Sequence, residues 1–235
     1  MVFRATYTPH ERVGYLITFS GTDLENTFVT EGETVQKPED PTKIDSIFKG
    51  WYATPDYSQT FDFSSPILQD TIIYAKWEKK KYTITRKHEN GTILETDTNV
   101  PYGTTPHYDG AIPTKNRDVQ YTYTFSGRSP AITEVTANQT YTATFKTTTN
   151  QYSITFKDEN GTILKSATQY PYGTLSGQIV QPSEPTKQGY TFIGWTPTLS
   201  TVTGNIIYTA SYEKNGYTIT YKVDGEIYAT ENHQF

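Results

Sequence analysis

The sequence repeats itself about every 65 to 70 residues, and this repetition restricts the folds that the chain can adopt. Each copy opens with the pattern Tyr-x-Ile-Thr, which begins at Tyr15, Tyr82, Tyr152 and Tyr217. A tandem array is built from small similar units, so the unit has to be found before a fold is assigned. The repetition also favours a structural or binding function, because catalysis usually needs one specialised site.

Three further motifs follow in the same order within each complete copy. They are a Pro-Thr-Lys segment, a Phe-x-Gly step and a closing strand with aromatic residues, as in Pro185-Thr186-Lys187, Phe192-Ile193-Gly194 and Tyr208–Tyr212. These spacings predict the closing strand of a preceding truncated repeat at residues 1–14. Complete repeats are predicted at residues 15–81, 82–151 and 152–216, and the opening hairpin of a truncated fourth repeat at residues 217–235.

Composition and alternation predict a mainly β fold, with no more helix than one short turn. The chain contains 20 Tyr and 11 Phe, and aromatic residues favour strands. In Tyr152–Phe156, apolar and polar residues alternate as they do in a half-buried strand. Closely spaced prolines, Pro38 and Pro41 in the first copy and Pro182 and Pro185 in the third, exclude a regular helix from the crossing segment.

Short Gly dipeptides predict tight hairpins after each opening strand. Asn90-Gly91, Asn160-Gly161 and Asp224-Gly225 fit a type I′ turn, in which both central residues have positive φ. The first copy has Ser20–Glu25 at this place, which predicts a longer or different loop.

Charge and composition exclude several classes of function. The net charge is −5 without a basic stripe, so nucleic acid is not an expected partner. No apolar run approaches ~18 residues, so no membrane insertion is expected in this piece. Cys is absent, the histidines are scattered, and no catalytic motif is present, so neither a metal, a cofactor nor an enzymatic activity is expected.

The recurring motifs resemble a known bacterial family. The third copy contains Pro185–Trp195, and the first contains Phe48–Tyr52 and Leu68–Trp77. With Tyr-x-Ile-Thr-Phe and Tyr-Gly, this order resembles the Listeria–Bacteroides repeat, known from the B repeat of internalin-type surface proteins. The hairpin sequence Asn-Gly-Thr-Ile-Leu is also similar to mucin-binding-type repeats of lactobacilli.

The resemblance implies a fold and a location. It implies tandem β-grasp-like (ubiquitin-resembling) modules, arranged as beads in a line, in an extracellular bacterial protein that is cell-wall attached or secreted. The expected function is a non-catalytic stalk or spacer of an adhesin-like protein, whose repeats contact their neighbours. The alternative is that the repeats bind a host glycoprotein or glycan, weakly per copy and by multivalency. Short links at Glu78–Lys81 and Lys146–Gln151 are expected to allow limited flexing.

The second copy departs most from the shared pattern. Arg86 stands where the third copy has Phe156, and Arg128 stands where it has Trp195. One hypothesis is that the second copy presents an altered surface, with Arg86, Arg128 and Tyr123 as candidate contacts. The alternative is neutral drift on an exposed face.

The aromatic residues offer a second candidate for binding. They could form a platform on which sugar rings stack, or they could be the core of each small domain, an interpretation that their recurrence favours. Trp77 could also seal the junction with the next copy. The residues concerned are Trp51, Trp77, Trp195, Tyr102, Tyr121, Tyr123 and Tyr172.

Overall fold

A computed structural model describes residues 14–234, which form fourteen strands and one 3₁₀ turn at Ser176–Gln178. The predicted closing strand at residues 1–14 lies, except for Gly14, outside the described residues. The strands are β1 (Gly14–Ser20), β2 (Thr27–Thr30), β3 (Ser46–Tyr52), β4 (Thr71–Lys79), β5 (Lys81–Lys87), β6 (Ile93–Pro101), β7 (Tyr121–Ser129), β8 (Gln139–Thr149), β9 (Gln151–Lys157), β10 (Ile163–Pro171), β11 (Tyr190–Thr196), β12 (Ile206–Lys214), β13 (Gly216–Val223) and β14 (Glu226–Gln234).

The strands form three mixed four-stranded sheets and one two-stranded sheet. Their orders are β2-β1-β4-β3, β6-β5-β8-β7, β10-β9-β12-β11 and β13-β14. In each four-stranded sheet the opening and closing strands pair in parallel, as β1 with β4, β5 with β8 and β9 with β12. The prediction of a mainly β chain with tandem small sheets is confirmed. Within residues 14–234, no helix has the length and apolar character needed to cross a membrane.

The chain divides into two compact units, each with its own apolar packing. The first unit extends to Ala111 and includes Arg128–Ala143, and it contains clusters centred on Ile73 and on Tyr141. The second unit comprises Ile112–Gly127 and the chain from Thr144 onward, and its cluster is centred on Tyr208.

The same strand positions are buried in every complete copy. The opening strands β1, β5 and β9 share one burial pattern, in which two alternate residues point into the core. Two alternate residues of each closing strand meet them there. The buried residues are Ile17, Phe19, Ile73 and Ala75 in the first copy, Ile84, Arg86, Tyr141 and Ala143 in the second, and Ile154, Phe156, Tyr208 and Ala210 in the third.

A buried aliphatic residue in the loop before the closing strand was not identified from the sequence. In the third copy this is Val202, whose N–H donates to the carbonyl of Thr174 at 2.9 Å, while the N–H of Gly173 donates to the carbonyl of Val202 at 2.8 Å. Ile67 and Val135 make matching bonds in the other two copies, and all three side chains are buried. These paired bonds attach the loop to the turn after each hairpin.

The Phe-x-Gly step is a bulge that requires glycine. Gly50, Gly127 and Gly194 have φ of 122°, 133° and 132°, a region that is essentially closed to other residues. The register of β3 against β4 shifts between Phe48 and Gly50, and β11 shifts in the same way at Gly194. The extra residue bends the strand and lets the aromatic residues on either side of the step share one face.

The type I′ prediction is wrong for the Asn-Gly hairpins and holds for Asp224-Gly225. Asp224 and Gly225 both have positive φ, 53° and 88°, whereas at the tip of the third copy only Gly161 does, with 88°. The carbonyl of Asp158 accepts from the N–H of Gly161, and Asn160 Oδ1 accepts from the N–H of Thr162 at 2.9 Å. Because the Asn side chain satisfies that donor in a longer loop, its own backbone keeps a negative φ.

Replacement of Gly194 by Ala tests the bulge. No atom lies within 4 Å of the added Cβ, so the expected loss of about 1–3 kcal/mol is conformational rather than steric. Gly204→Ala is the matched control, because Gly204 has equal space and no positive φ, and it should change stability by less than about 0.5 kcal/mol. Hydrogen exchange of the β11 and β12 amides measures both effects. Equal losses in the two variants would contradict the requirement for glycine.

Candidate functional site

The connections between successive copies consist of single residues. Lys80 alone separates β4 from β5, Asn150 separates β8 from β9, and Asn215 separates β12 from β13. The expected flexing links at Glu78–Lys81 and Lys146–Gln151 are therefore mostly strand, because the closing strands extend almost to the next opening strand. Each connecting N–H donates to a carbonyl of the preceding copy at 2.9 Å, and the acceptors are Asp45, Gln120 and Gly189.

The carbonyl side of two connections is bonded to the following copy. The N–H of Tyr102 donates to the carbonyl of Lys80 at 2.8 Å, and the N–H of Tyr172 donates to the carbonyl of Asn150 at 2.9 Å. Tyr102 and Tyr172 are the tyrosines of the Tyr-Gly motif, so this motif has a role at the connection. Each of these connecting residues is thus fixed from both sides, which limits its backbone rotation.

The connection at Asn150 is further secured by its side chain. Asn150 is buried, and its Nδ2 donates to the carbonyl of Asp118 at 2.8 Å. Its Oδ1 accepts from the Thr122 hydroxyl at 2.7 Å. The Tyr152 hydroxyl adds a bond to the carbonyl of Val119 at 2.6 Å. A buried amide with donor and acceptor both used is costly to displace, so this connection is stiff.

The lysine of the Pro-Thr-Lys motif lies over an aromatic ring in every complete copy. Such a cation over a ring face stabilises by about 0.5–1 kcal/mol at an exposed site. In the first copy the ammonium also donates to the carbonyl of Gly21 at 3.0 Å. The pairs are Lys43 over Trp77 at 4.5 Å, Lys115 over Tyr123 at 3.9 Å and Lys187 over Tyr190 at 3.7 Å.

The third copy surrounds this lysine with carboxylates. Lys187 Nζ lies 2.6 Å from Glu159 Oε1, and this hydrogen bond raises the pKa of Lys187. The Tyr212 hydroxyl donates to Asp158 Oδ1 at 2.8 Å. Burial, followed by this bond, raises the pKa of Tyr212 to about 12. These contacts attach the crossing segment to the hairpin tip. They also pair the lysine with a carboxylate of its own copy.

Tyr123 is half-buried and takes part in internal contacts. Its hydroxyl donates to Asp118 Oδ2 at 2.6 Å, which lowers the pKa of Asp118, and its ring carries the Lys115 ammonium. Tyr121 lies beside it with ring centroids 6.4 Å apart. As a candidate contact residue, Tyr123 could offer only the part of its ring that these neighbours leave accessible.

Arg86 lies in the core, and the expectation that it belongs to an exposed surface is wrong. Its side chain is 0% exposed. Its Nη1 lies 2.6 Å from Glu95 Oε1 and 2.6 Å from Asp97 Oδ2, and its Nη2 donates to the carbonyl of His107. A buried guanidinium is tolerated only with such partners, because an isolated buried charge is very costly. Arg86 is therefore not available for direct contact with a partner in this conformation.

Arg128 is close to the same cluster. Its guanidinium carbon lies 4.1 Å from the centre of the Tyr108 ring, and that of Arg86 lies 5.8 Å from it. The Tyr108 hydroxyl donates to the carbonyl of Ala111 at 2.9 Å, and Glu95 Oε2 accepts from the N–H of Asp109 at 3.0 Å. Two arginines, one tyrosine and two carboxylates thus form a polar core in the second copy.

The other copies have an aromatic pair at the positions of the two arginines. Phe19 and Trp51 meet edge to face at 5.3 Å, and Phe156 and Trp195 do so at 4.8 Å. The sequence contained a signal for the difference. Glu95 pairs across the sheet with Arg86, whereas Lys165 occupies the matching place opposite Phe156. A negative residue on the neighbouring strand thus faces the arginine, where the third copy has a positive residue facing a phenylalanine.

The tryptophans belong to the cores, as the alternative interpretation held. Trp51 is buried, and Trp77 and Trp195 pack against the clusters of their own copies. Trp77 donates from Nε1 to the carbonyl of Gly21 at 3.0 Å and touches the Phe48 ring, and both of these contacts lie within the first copy. Within residues 14–234, no group of three or more His, Asp or Glu residues is placed to hold a metal ion.

Charge removal in the second copy tests the polar core. Arg86→Met should lower the stability of that copy by about 3 kcal/mol. This is the lower end of the usual cost of breaking a buried ion pair, because the Asp97 side chain is 35% exposed and water can solvate it in part. The triple change Arg86→Met, Glu95→Gln and Asp97→Asn should recover more than half of the loss, because no unpaired charge remains. Arg117→Met, on the exposed surface, is the control and should have little effect.

Hydrogen exchange of the β5 and β8 amides reports these changes locally. A triple variant no more stable than Arg86→Met would show that unpaired charge is not the cause of the loss.

Comparison with known protein families gives a match for the first and third copies. The profile of the Listeria-Bacteroides repeat domain matches residues 15–76 and 152–212, which together make up just over half of the chain. The second copy, in which Arg86 and Arg128 replace aromatic residues, lies outside both matched ranges.

Two curated relatives from Evansella cellulosilytica are similar over most of the chain. One, provisionally named a Gly-rich membrane protein, is 25% identical over 224 residues, which cover 87% of this chain and 25% of that protein. The other, provisionally named a membrane protein, is 24% identical over 193 residues, which cover 77% of this chain and 27% of that protein. The chain thus spans about a quarter of the length of the curated relatives it matches.

A solved structure of a cell surface protein, the Streptococcal High Identity Repeats in Tandem (SHIRT) domains 3-4, aligns with 58% of this chain and 99% of its own. The sequence identity is 14% and the TM-score is 0.27. The family is therefore established by the profile, whose matches contain the Tyr-x-Ile-Thr, Pro-Thr-Lys and Phe-x-Gly motifs. This chain belongs to the Listeria-Bacteroides repeat domain family.

Proposed function

We propose that this chain is a non-catalytic repeat region that acts as a stalk or spacer in an adhesin-like bacterial protein. The observation that carries the proposal is the single-residue connection between successive copies, with backbone groups bonded on both sides. Flexible linkers are long and rich in Gly and Ser, whereas these connections have neither property. A spacer needs this kind of joint, because a loose joint would let the array fold back.

The parallel pairing of opening and closing strands supports the same function. Ser20 pairs with Tyr74, and β4 then continues to Lys79 beyond the end of β1. The chain therefore enters the first sheet at Gly14 and leaves it roughly 35 Å away along the strand direction. Repetition of this arrangement would make each copy add length, as expected for beads in a line.

We also propose a fold for the module and a location for the protein. The parallel central pair and the order β2-β1-β4-β3 support a β-grasp-like module that resembles ubiquitin. The names of the relatives, which include membrane proteins, support an extracellular place on a bacterial surface, cell-wall attached or secreted. Boundaries at residues 15–81, 82–151 and 152–216, with a partial unit from residue 217, are proposed from the motif spacing.

A second candidate function is multivalent binding of a host glycoprotein or glycan. The recurrence of a lysine over an aromatic ring in each complete copy favours it, because avidity requires the same weak site several times. Capture on immobilised host mucins distinguishes this function from a spacer. Retention that grows steeply with the number of copies supports multivalent binding, and absence of retention supports the spacer alone.

Small-angle scattering tests the spacer. Three copies of roughly 35 Å in line should give a radius of gyration of about 30 Å, whereas a single globule of this length should give about 18 Å. Insertion of Gly-Ser-Gly-Ser after Asn150 should broaden the distance distribution by loosening a connection. The same insertion after Ser183, in an exposed segment without secondary structure within one copy, is the control and should leave it unchanged. A radius near 18 Å would contradict the spacer.

A further inference from the structure

The first copy contains a cavity of about 500 Å³ with aromatic walls. Phe48, Trp51, Phe61 and Phe63 line it. A concave site with aromatic walls and a few polar groups is the usual form of a small-ligand site. The cavity is open to solvent on the side of Lys37, Asp40 and Lys49, which also line it.

Two of the four aromatic walls come from a segment that enlarges the first copy. The chain takes 24 residues from Trp51 to Ala75, but 15 residues from Trp195 to the matching Ala210. The added length carries Phe61 and Phe63, whose rings lie 4.8 Å apart. The N–H of Phe61 donates to the carbonyl of Trp51 at 2.9 Å, which fixes the segment against the tryptophan.

The two core tryptophans make similar ring contacts with a phenylalanine but differ at the indole nitrogen. Trp51 meets Phe48 at 5.2 Å and 65°, and Trp195 meets Phe192 at 5.1 Å and 67°. Trp195 Nε1 donates to Gln181 Oε1 at 2.8 Å. Trp51 is 4% exposed, and its Nε1 has no hydrogen-bond partner among the described residues. A buried N–H without an acceptor is rare and costly.

Lys37 explains why the acceptor is missing. Lys37 precedes Pro38 as Gln181 precedes Pro182, and the spacing from this residue to the tryptophan is the same in both copies. An ammonium group only donates, so Lys37 cannot replace the amide oxygen of Gln181. The first copy therefore has Lys37 at the chain position of the acceptor Gln181, and Lys37 and Trp51 both line the cavity.

The charges at the cavity favour a neutral ligand. Lys37 lies 3.6 Å from Asp40, and Lys49 lies 3.0 Å from Glu78. Both ammonium groups therefore have carboxylate partners, and no uncompensated charge at the rim calls for an anion. The occupant should offer a neutral oxygen acceptor to the indole, an apolar face to the phenylalanines and hydroxyl groups to the polar rim.

We propose that this cavity binds the ring of an N-acetylhexosamine, with the acetamido oxygen accepting a hydrogen bond from Trp51 Nε1. The sugar's C–H face lies against Phe61 and Phe63, and its hydroxyl groups meet the paired charges at the rim. The Nε1 atom is covered, so binding requires a side chain to move, and Lys37 is suited to this because its side chain is 58% exposed. The proposal does not depend on the spacer function, since only the first copy has this cavity wall.

The indole N–H signals of the full chain test the proposal by ¹⁵N nuclear magnetic resonance. The three tryptophans give three signals, assigned with Trp77→Phe and Trp195→Phe variants. Titration with N-acetylglucosamine should shift the Trp51 signal with a dissociation constant on the order of 1 mM, as a ligand of this size allows. The Trp195 signal is the internal control and should not move, because Gln181 already occupies its donor.

Variants and other ligands make the test specific. Lys37→Gln should supply the acceptor found in the third copy and reduce the Trp51 shift at least tenfold, and Lys80→Gln, outside the cavity lining, should leave it largely intact. Glucose, which lacks the acetamido group, should not shift the signal. N-acetylgalactosamine represents a mucin-type source, and N-acetylglucosamine is the neutral N-acetylhexosamine of the bacterial wall, so the tighter binder of the two indicates the source. No Trp51 shift with any N-acetylhexosamine, or an equal shift with N-acetylglycine methylamide, would overturn the assignment to a sugar.

Discussion

The parallel pairing of opening and closing strands is the constraint on which the rest of each copy depends. It brings residues from the two ends of a copy side by side, as with Ile17 and Thr71, so the core closes only when both ends are present. It also places the points where the chain enters and leaves the sheet at opposite ends. The next copy can then begin after a single residue, and tension applied to the chain would shear the two strands along their shared hydrogen bonds.

The backbone tolerates two kinds of core at one position. Phe19 and Phe156 fill it with an aromatic ring, and Arg86 fills it with a guanidinium held by Glu95 and Asp97. Hydrophobic burial near this position stabilises the fold directly. The attraction within a buried ion pair, in contrast, roughly balances the cost of removing both charges from water. The second copy has thus kept the pairing of its strands while it changed the chemistry of its interior. The first copy instead kept the aromatic core and added walls around Trp51.

Much of the strand pattern could be predicted from the sequence, because strand burial follows local alternation, as in β9. The proline-rich crossing and the bulge glycines were also visible as motifs. Three further features do not show in the alternation of any one strand. The burial of Arg86 requires carboxylates on the next strand, the burial of Val202 has no periodic signal in its loop, and the role of Lys37 is seen only against Gln181.

Each complete copy is a separate sheet closed by its parallel terminal strands. Single-molecule extension of the chain from its two ends tests this claim most directly. Three separate force peaks are expected, each followed by a gain of about 200 Å, since some 65 to 70 residues extend by about 3.3–3.6 Å each and the folded copy already spans about 35 Å. A smooth extension without peaks, or one peak that releases the whole chain, would contradict the account.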